Sequence, residues 1–206
     1  MMYLSGTSNP AVIEAAQHRA IGLMAQPDSG YEQQIGAYRW WAADNGCFAK
    51  GDAFNELAWM RWVKSLRRHR TTCLFVVAPD VVGNAAATLT RSAPWLPQIR
   101  KMGYAAAFVA QDGLEDEVVP WETFDALFIG GSTDYKLSPQ ATMVIREAKA
   151  EGKWCHMGRV NSQKRLLTAR DMGCDSADGT FLKFGPDVNL PKLLRWLDIA
   201  EKASAA

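Results

Sequence analysis

Along this chain, short apolar runs end in small or polar residues, and most are followed by a stretch with helical spacing. The runs are "MYLSG" (2–6), "AIGLMA" (20–25), "YRWWAA" (38–43), "TCLFVVA" (72–78), "AAAFVA" (105–110), "ALFIG" (126–130), "KWCHMG" (153–158) and "CDSAD" (174–178). Continuous apolar runs of this length suit strands covered on both faces, as in a parallel sheet. Between them, residues 54–69 place Phe54, Leu57, Ala58, Trp62 and Leu66 on one stripe, which predicts an amphipathic helix. Residues 139–152 open on Pro139 and close on Gly152. Residues 161–173 start from an Asn161/Ser162 cap and end on Gly173, and 189–203 form a last helix. The connection after the second run, "QPDSGYEQQIG", is too short and polar to predict a helix.

Eight strand-like runs alternating with helices predict an α/β fold, and eight is the number that closes a (β/α)8 TIM barrel. A doubly wound open sheet is the competing architecture. No GxGxxG follows the first run, which weakens a dinucleotide-binding version of it. No Pro-, Gly- or Ser-rich linker interrupts the chain, so 1–206 reads as one compact barrel domain with short loops.

Composition narrows the partners. With 206 residues, 48% hydrophobic and 22% charged, the chain can fill one core. Lys and Arg total 23 against 22 Asp and Glu, a net charge of +1, so a nucleic-acid surface has to be a local patch. The four cysteines (Cys47, Cys73, Cys155, Cys174) show no CxxC spacing and the three histidines no ligand spacing. Reduced thiols, no structural zinc, no metal and no cofactor are therefore expected. The N-terminus has no basic-then-apolar leader pattern and no apolar stretch reaches membrane-spanning length, so a soluble, cytoplasmic protein with no membrane partner is expected.

In a barrel the βα loops converge on the C-terminal ends of the strands, so those ends are where chemistry is sought. They supply Asp44 and Phe48 ("ADNGCF"), Asp80 ("APDVVGN"), Gln111 and Asp112 ("AQDG"), and Gly130, Gly131 and Ser132 ("IGGSTDYK"). The last two runs supply His156, Met157 and Arg159 ("HMGRVNS"), and Asp175 and Asp178 ("CDSADGT"). Such a rim could bind Mg²⁺ through oxygen ligands or act on a glycosidic bond. Taken singly, each aspartate is more readily a helix cap. The recurrence across five strand ends favours chemistry.

These segments resemble, in order and spacing, the tRNA-guanine transglycosylases. "ADNGCFAK" is similar to their LTDSGGFQ-type stretch, and "FVVAPDVVGN" to the strand carrying their base-reading aspartate. "AFVAQDG" is similar to their VQGG segment, "FIGGSTDYKL" to GGLxVGE, and "CHMGRVNSQKRLLTARDMGCDSADGT" to MGVGxPxDLxxAVxxGxDxFDC. "IGGSTDYKLSP" and "GCDSADGTFLKFGPD" more closely resemble the short phage-type deazapurine DNA modification proteins of the DpdA kind. Cys47 stands at the second glycine of the SGG element and Ser132 at the leucine of GGL. The CxCx2C…H zinc subdomain of the tRNA enzymes has no counterpart in the sequence. The expectation is therefore a transglycosylase-like barrel lacking that subdomain, acting on DNA rather than tRNA.

The resemblance implies a role for each residue. Asp178 is the nucleophile that holds the sugar covalently, Asp175 a neighbour that orients its loop, and Asp44 the general acid/base. Asp80 and Gln111 read the guanine-like edge, amides around Gly130, Gly131 and Ser132 meet O6, and Phe48 and Met157 sandwich the ring. For Phe48 and Met157, core packing is an equal alternative. Arg159, Lys164 and Arg165 are candidate phosphate contacts, whereas "KSLRRHR" (64–70) reads as a solvated helix end on the opposite face. A base inside a duplex cannot reach such a rim, so the DNA partner presents a flipped-out or single-stranded guanosine. The implied second substrate is a free 7-deazaguanine of the 7-cyano (preQ0) type. Two alternatives stay open: a non-catalytic deazapurine-binding barrel, and a purine N-glycoside hydrolase using water. Retention of both Asp44 and Asp178 favours the enzyme over the binder.

Overall fold

The computed structural model describes residues 1–202, and residue 203 of the expected last helix lies outside them. Eight parallel strands close into one barrel in sequence order: β1 (Met2–Ser5), β2 (Ile21–Ala25), β3 (Trp41–Ala43), β4 (Cys73–Val77), β5 (Ala106–Ala110), β6 (Ala126–Ile129), β7 (Trp154–Met157) and β8 (Ser176–Asp178). Closure is made by β8 on β1, where Met2, Tyr3 and Leu4 stand opposite Ser176, Ala177 and Asp178. This is the α/β arrangement of a TIM barrel. Each predicted run contains one strand.

Alternation along the strands sorts side chains into two cores. Leu4, Met24, Ala42, Phe75, Val77, Ala107, Val109 and Ala126 fill the barrel, with Phe128 and Trp154 packed beside them. Residues of opposite parity, such as Tyr3, Leu23, Trp41, Val76, Phe108 and Leu127, face the surrounding helices.

The helices are α1 (Pro10–Ala15), α2 (Cys47–Lys50), α3 (Glu56–Ser65), α4 (Ala85–Ser92), α5 (Leu96–Lys101), α6 (Thr133–Lys136), α7 (Pro139–Ala150), α8 (Gln163–Met172) and α9 (Pro186–Lys202). Side-chain caps set most of their starts: Asn9, Asn55, Asn84, Ser132, Ser138 and Ser162 each accept from a backbone N–H of the first turn. Strict β/α alternation is not kept. The β2–β3 connection carries only a 3-10 helix (Tyr31–Ala37), and β5–β6 only two 3-10 turns. The predicted stripe of the 54–69 helix is met in part: Leu66 is buried and Phe54 and Trp62 pack against the core. Asn55 caps α3, so Phe54 precedes it, Leu57 is 64% exposed, and the buried face is Trp59, Met60 and Val63. The basic run 64–70 leads into the N-terminal end of β4, away from the loops that follow the strands. Among the described residues no helix is long and apolar enough to cross a membrane.

Candidate active site at the mouth of the barrel

The loops after the strands enclose a cavity of two lobes that share Asp44 and Asp178. One lobe, about 270 Å³, is walled by Asp80, Gln111, Gly130, Gly131, Phe48 and Phe128. The other, about 350 Å³, is walled by Gln26, Ser29, Tyr31, Gly179, Thr180 and Lys183. Two linked compartments with carboxylates at their junction suit a substrate with two chemically distinct parts and a bond to be broken between them.

Asp44 directly follows β3, and its amide donates to the carbonyl of Ala25 (2.8 Å), which extends the sheet by one residue. Its Oδ1 accepts from the amide of Gly46 at 3.3 Å, a turn closed by the left-handed Gly46 (φ 79°). Burial pushes the Asp44 carboxyl up to about 7, helped by the charges of Asp178 and Asp80 and opposed by the amides of Gly46 and Asn45. A carboxyl poised there can both give and take a proton near neutrality. A folded-state value raised above the unfolded one stabilises the fold at low pH, and that contribution is lost as pH rises through about 7. Asp44→Asn is therefore expected to raise the melting temperature in mildly alkaline buffer, by about 2–4 °C per kcal/mol of relieved penalty. In acid it leaves the melting temperature close to wild type. Calorimetry at two pH values checks this.

Asp80 is buried and its oxygens are fixed: Asn45 Nδ2 donates to Oδ1 (2.8 Å) and Gln111 Nε2 to Oδ2 (2.5 Å). Burial raises this carboxyl, while hydrogen bonds from Asn45 and Gln111 oppose the rise. Gln111 Oε1 in turn accepts from the amide of Gly83 at 2.8 Å, so the side-chain amide cannot flip, and Gln111 lines the lobe. Asn45 was not singled out in the sequence. It is 3% exposed, and besides Asp80 it donates to the carbonyl of Ala78 (2.7 Å) and accepts from the amide of Cys47 (2.8 Å). It locks the β3 and β4 ends together.

The glycines line the same lobe, but the expected donor set contracts. The Gly130 amide donates to the carbonyl of Ala110 (2.9 Å), and the Ser132 amide to Asp112 Oδ2 (2.8 Å). Ser132 also donates its hydroxyl to Asp112 Oδ1 (2.6 Å) and caps α6, outside the cavity lining. Of the three amides only that of Gly131 remains available. Gly131 has φ 75°, and a Cβ there would meet Asp112 Oδ2 at 2.5 Å, so glycine is required on both counts.

Two expectations are corrected. Met157 is 1% exposed and sits in the layer between barrel and helices, because its neighbour His156 takes the inward position of β7. Phe128 of β6, paired with His156, lines the lobe together with the exposed Phe48. Asp175 lies before β8, at the opposite end of the barrel, where it accepts from Lys149 Nζ (2.8 Å) and the amide of Cys155 (2.7 Å). Three residues of strand, about 10 Å, separate it from Asp178. Asp175→Asn is accordingly expected to lower thermal stability while leaving the chemistry of the mouth at wild-type rate. A thermal melt run beside an activity assay separates the two effects.

Asp178, the last residue of β8, has a side chain 20% exposed, and its Oδ1 lies 2.9 Å from His156 Nε2. Its carbonyl accepts from the amide of Val160 (2.6 Å), which ties the β7–α8 loop to this strand end. Arg159 in that loop adopts φ 60°, donates to the carbonyl of Gly131, and lays its guanidinium 4.8 Å over the Phe48 ring. It roofs the lobe that holds Asp80 and Gln111. Lys164 is exposed and Arg165 partly so, in the first turn of α8 beside the mouth. Lys136, also unanticipated, is 4% exposed and donates to the carbonyl of Gly158 (2.8 Å). Burial, then the nearby Arg159 charge, lower its ammonium to about 8. Among the described residues no group of three or more His, Cys, Asp or Glu side chains is placed to hold a metal ion.

No family model matches the chain, and no curated protein matches it.

Proposed function

We propose that the chain is a base-exchanging transglycosylase that replaces guanine in DNA by a free 7-deazaguanine. The observation that carries this reading is the placement of Asp44 and Asp178 at the junction of two lobes, one of which is walled by the fixed Asp80–Gln111 pair. In this reading the purine enters the lobe between Phe48 and Phe128. Its N–H groups face the Asp80 carboxylate, and O6 faces the amide of Gly131 and the side-chain amide of Gln111. The sugar occupies the second lobe.

The chemistry is two displacements at C1′. An Asp178 oxygen attacks C1′, the C1′–N9 bond breaks with its electron pair passing to the purine, and Asp44 supplies the proton to the departing base. The incoming base then loses its N9 proton to Asp44 while that nitrogen attacks C1′, and Asp178 leaves as carboxylate. The backbone is untouched and Asp44 ends protonated as it began. Arg159, Lys164 and Arg165 border the mouth on one side, where a phosphate chain would approach. DNA as the polymer rests on the resemblance of "IGGSTDYKLSP" and "GCDSADGTFLKFGPD" to the DNA-modifying proteins.

Incubation with guanine-containing DNA and isotope-labelled 7-cyano-7-deazaguanine, followed by digestion to nucleosides, tests it. The labelled deazanucleoside is expected with the strand uncut. Abasic sites would mean that water is the acceptor. Tight base binding with no change in the DNA would mean a binding module.

A further inference from the structure

Within the apolar barrel interior one polar column stands out: Trp154 and His156 of β7 and Ser176 and Asp178 of β8. His156 and Ser176 are both 0% exposed. The distances run Trp154 Nε1 to Ser176 Oγ 2.8 Å, Ser176 Oγ to His156 Nδ1 2.8 Å, and His156 Nε2 to Asp178 Oδ1 2.9 Å. Phe75 and Phe128 hold the imidazole from two sides, with ring centroids 5.1 and 4.7 Å away. Buried polar groups in such surroundings are retained only when paired.

The column has a direction. Trp154 can only donate, so Ser176 Oγ accepts from it. An ionised Asp178 can only accept, so a neutral His156 carries its proton on Nε2 and leaves Nδ1 as an acceptor. The hydroxyl proton of Ser176 fills that place. Every donor then meets one acceptor, from the far end of the barrel up to the carboxylate.

We propose that His156 is a positioning residue, held in its Nε2–H form by Ser176 and Trp154, that fixes Asp178 by Oδ1 and so reserves Oδ2 for attack on C1′. The contact survives the whole cycle. When the C1′–Oδ2 bond forms, Oδ1 becomes the carbonyl oxygen of the ester and still accepts from Nε2–H. When that bond breaks, the electron pair returns to the carboxylate already held by the same donor. Restricting the rotation of the reacting carboxylate is worth about a hundredfold where a misplacement near 1 Å matters. This role rests on the transglycosylase reading, but the column itself can be read without any activity.

The test has two arms. Nitrogen NMR of wild-type protein labelled at histidine, in mildly alkaline buffer, is expected to give a protonated Nε2 and an unprotonated Nδ1 for His156. The reverse tautomer would overturn the proposal whether or not the protein exchanges bases. In the kinetic arm, His156→Leu is expected to lower kcat about a hundredfold with the affinity for free deazaguanine unchanged. His156→Gln, whose amide restores a donor, is expected to recover most of the loss. Ser176→Ala, which keeps the imidazole, guards against a leucine variant that does not fold, and its kcat is expected to fall by less. A folded His156→Leu with wild-type kcat, or, where the leucine variant does not fold, a Ser176→Ala with wild-type kcat, would sink the positioning role. Loss of deazaguanine binding in step with kcat would mark the column as structural only. If wild type exchanges no base, base exchange fails while the tautomer result still decides the column.

Discussion

Replacing Asp178 by asparagine is expected to stop base exchange and to abolish covalent capture of DNA together. The carboxylate ends β8 with its neighbours fixed: Leu4 opposite on β1, the Val160 amide on its carbonyl, and His156 Nε2 on Oδ1. Asparagine keeps that shape and can still accept from His156 through its own oxygen. What it lacks is the negative oxygen that forms the bond to C1′. Loss of a nucleophile removes the step itself, so the expected residue of activity is that of positioning alone, a fall of several orders of magnitude. Asp80 and Gln111, which hold the purine edge, follow other strands (β4 and β5), so binding of free deazaguanine is expected to persist. Exchange at near wild-type rate in a folded Asp178→Asn protein would rule out the covalent path.

Asp44→Asn is expected to separate from this result. Its side chain transfers protons and forms no bond to the sugar, so the adduct still forms, more slowly, while turnover falls by about a hundredfold or more. The pH profile supplies a second signature. Departure of guanine uses the protonated form of a carboxyl held at about 7. The rate constant kcat/KM for DNA is therefore expected to be highest below that value and to fall by about tenfold per pH unit above it. In Asp44→Asn that descending limb disappears and the residual rate is flat through the same range. A limb that persists unchanged in the variant would mean another group carries the proton. The same substitution is expected to make the folded protein more stable in alkali, so activity and stability move in opposite directions.

The barrel was legible because its strands are buried on both faces and so read as apolar runs with no alternation to hide them. Helices α4 and α5 were not legible. Pro94 and Pro97 interrupt "NAAATLTRSAPWLPQIRK", and the Asn84 cap carries the only strong start signal before them. The carboxylates at the mouth were recovered from their places at strand ends. Met157 was misplaced because position in a run was used where parity decides, and Asp175 because it precedes β8 and so lies at the far end of the strand from Asp178. With Asp178 facing inward, Ser176 faces inward and Asp175 and Ala177 do not, and inward His156 turns Met157 to the helices. Asn45 gave no signal beyond its neighbourhood, since its role depends on β4 lying beside β3. His156 was named at its strand end without a role, because a ligating or positioning histidine is indistinguishable from a packed one until its partners on β8 are known.

The central claim is a glycosyl bond to one particular carboxylate. The most direct measurement is mass spectrometry of the peptide that retains sugar after DNA is trapped on wild-type protein without the incoming base. The account predicts the adduct on Asp178, within "CDSADGT". An adduct on Asp44 or Asp175, or none while bases are exchanged, would contradict it.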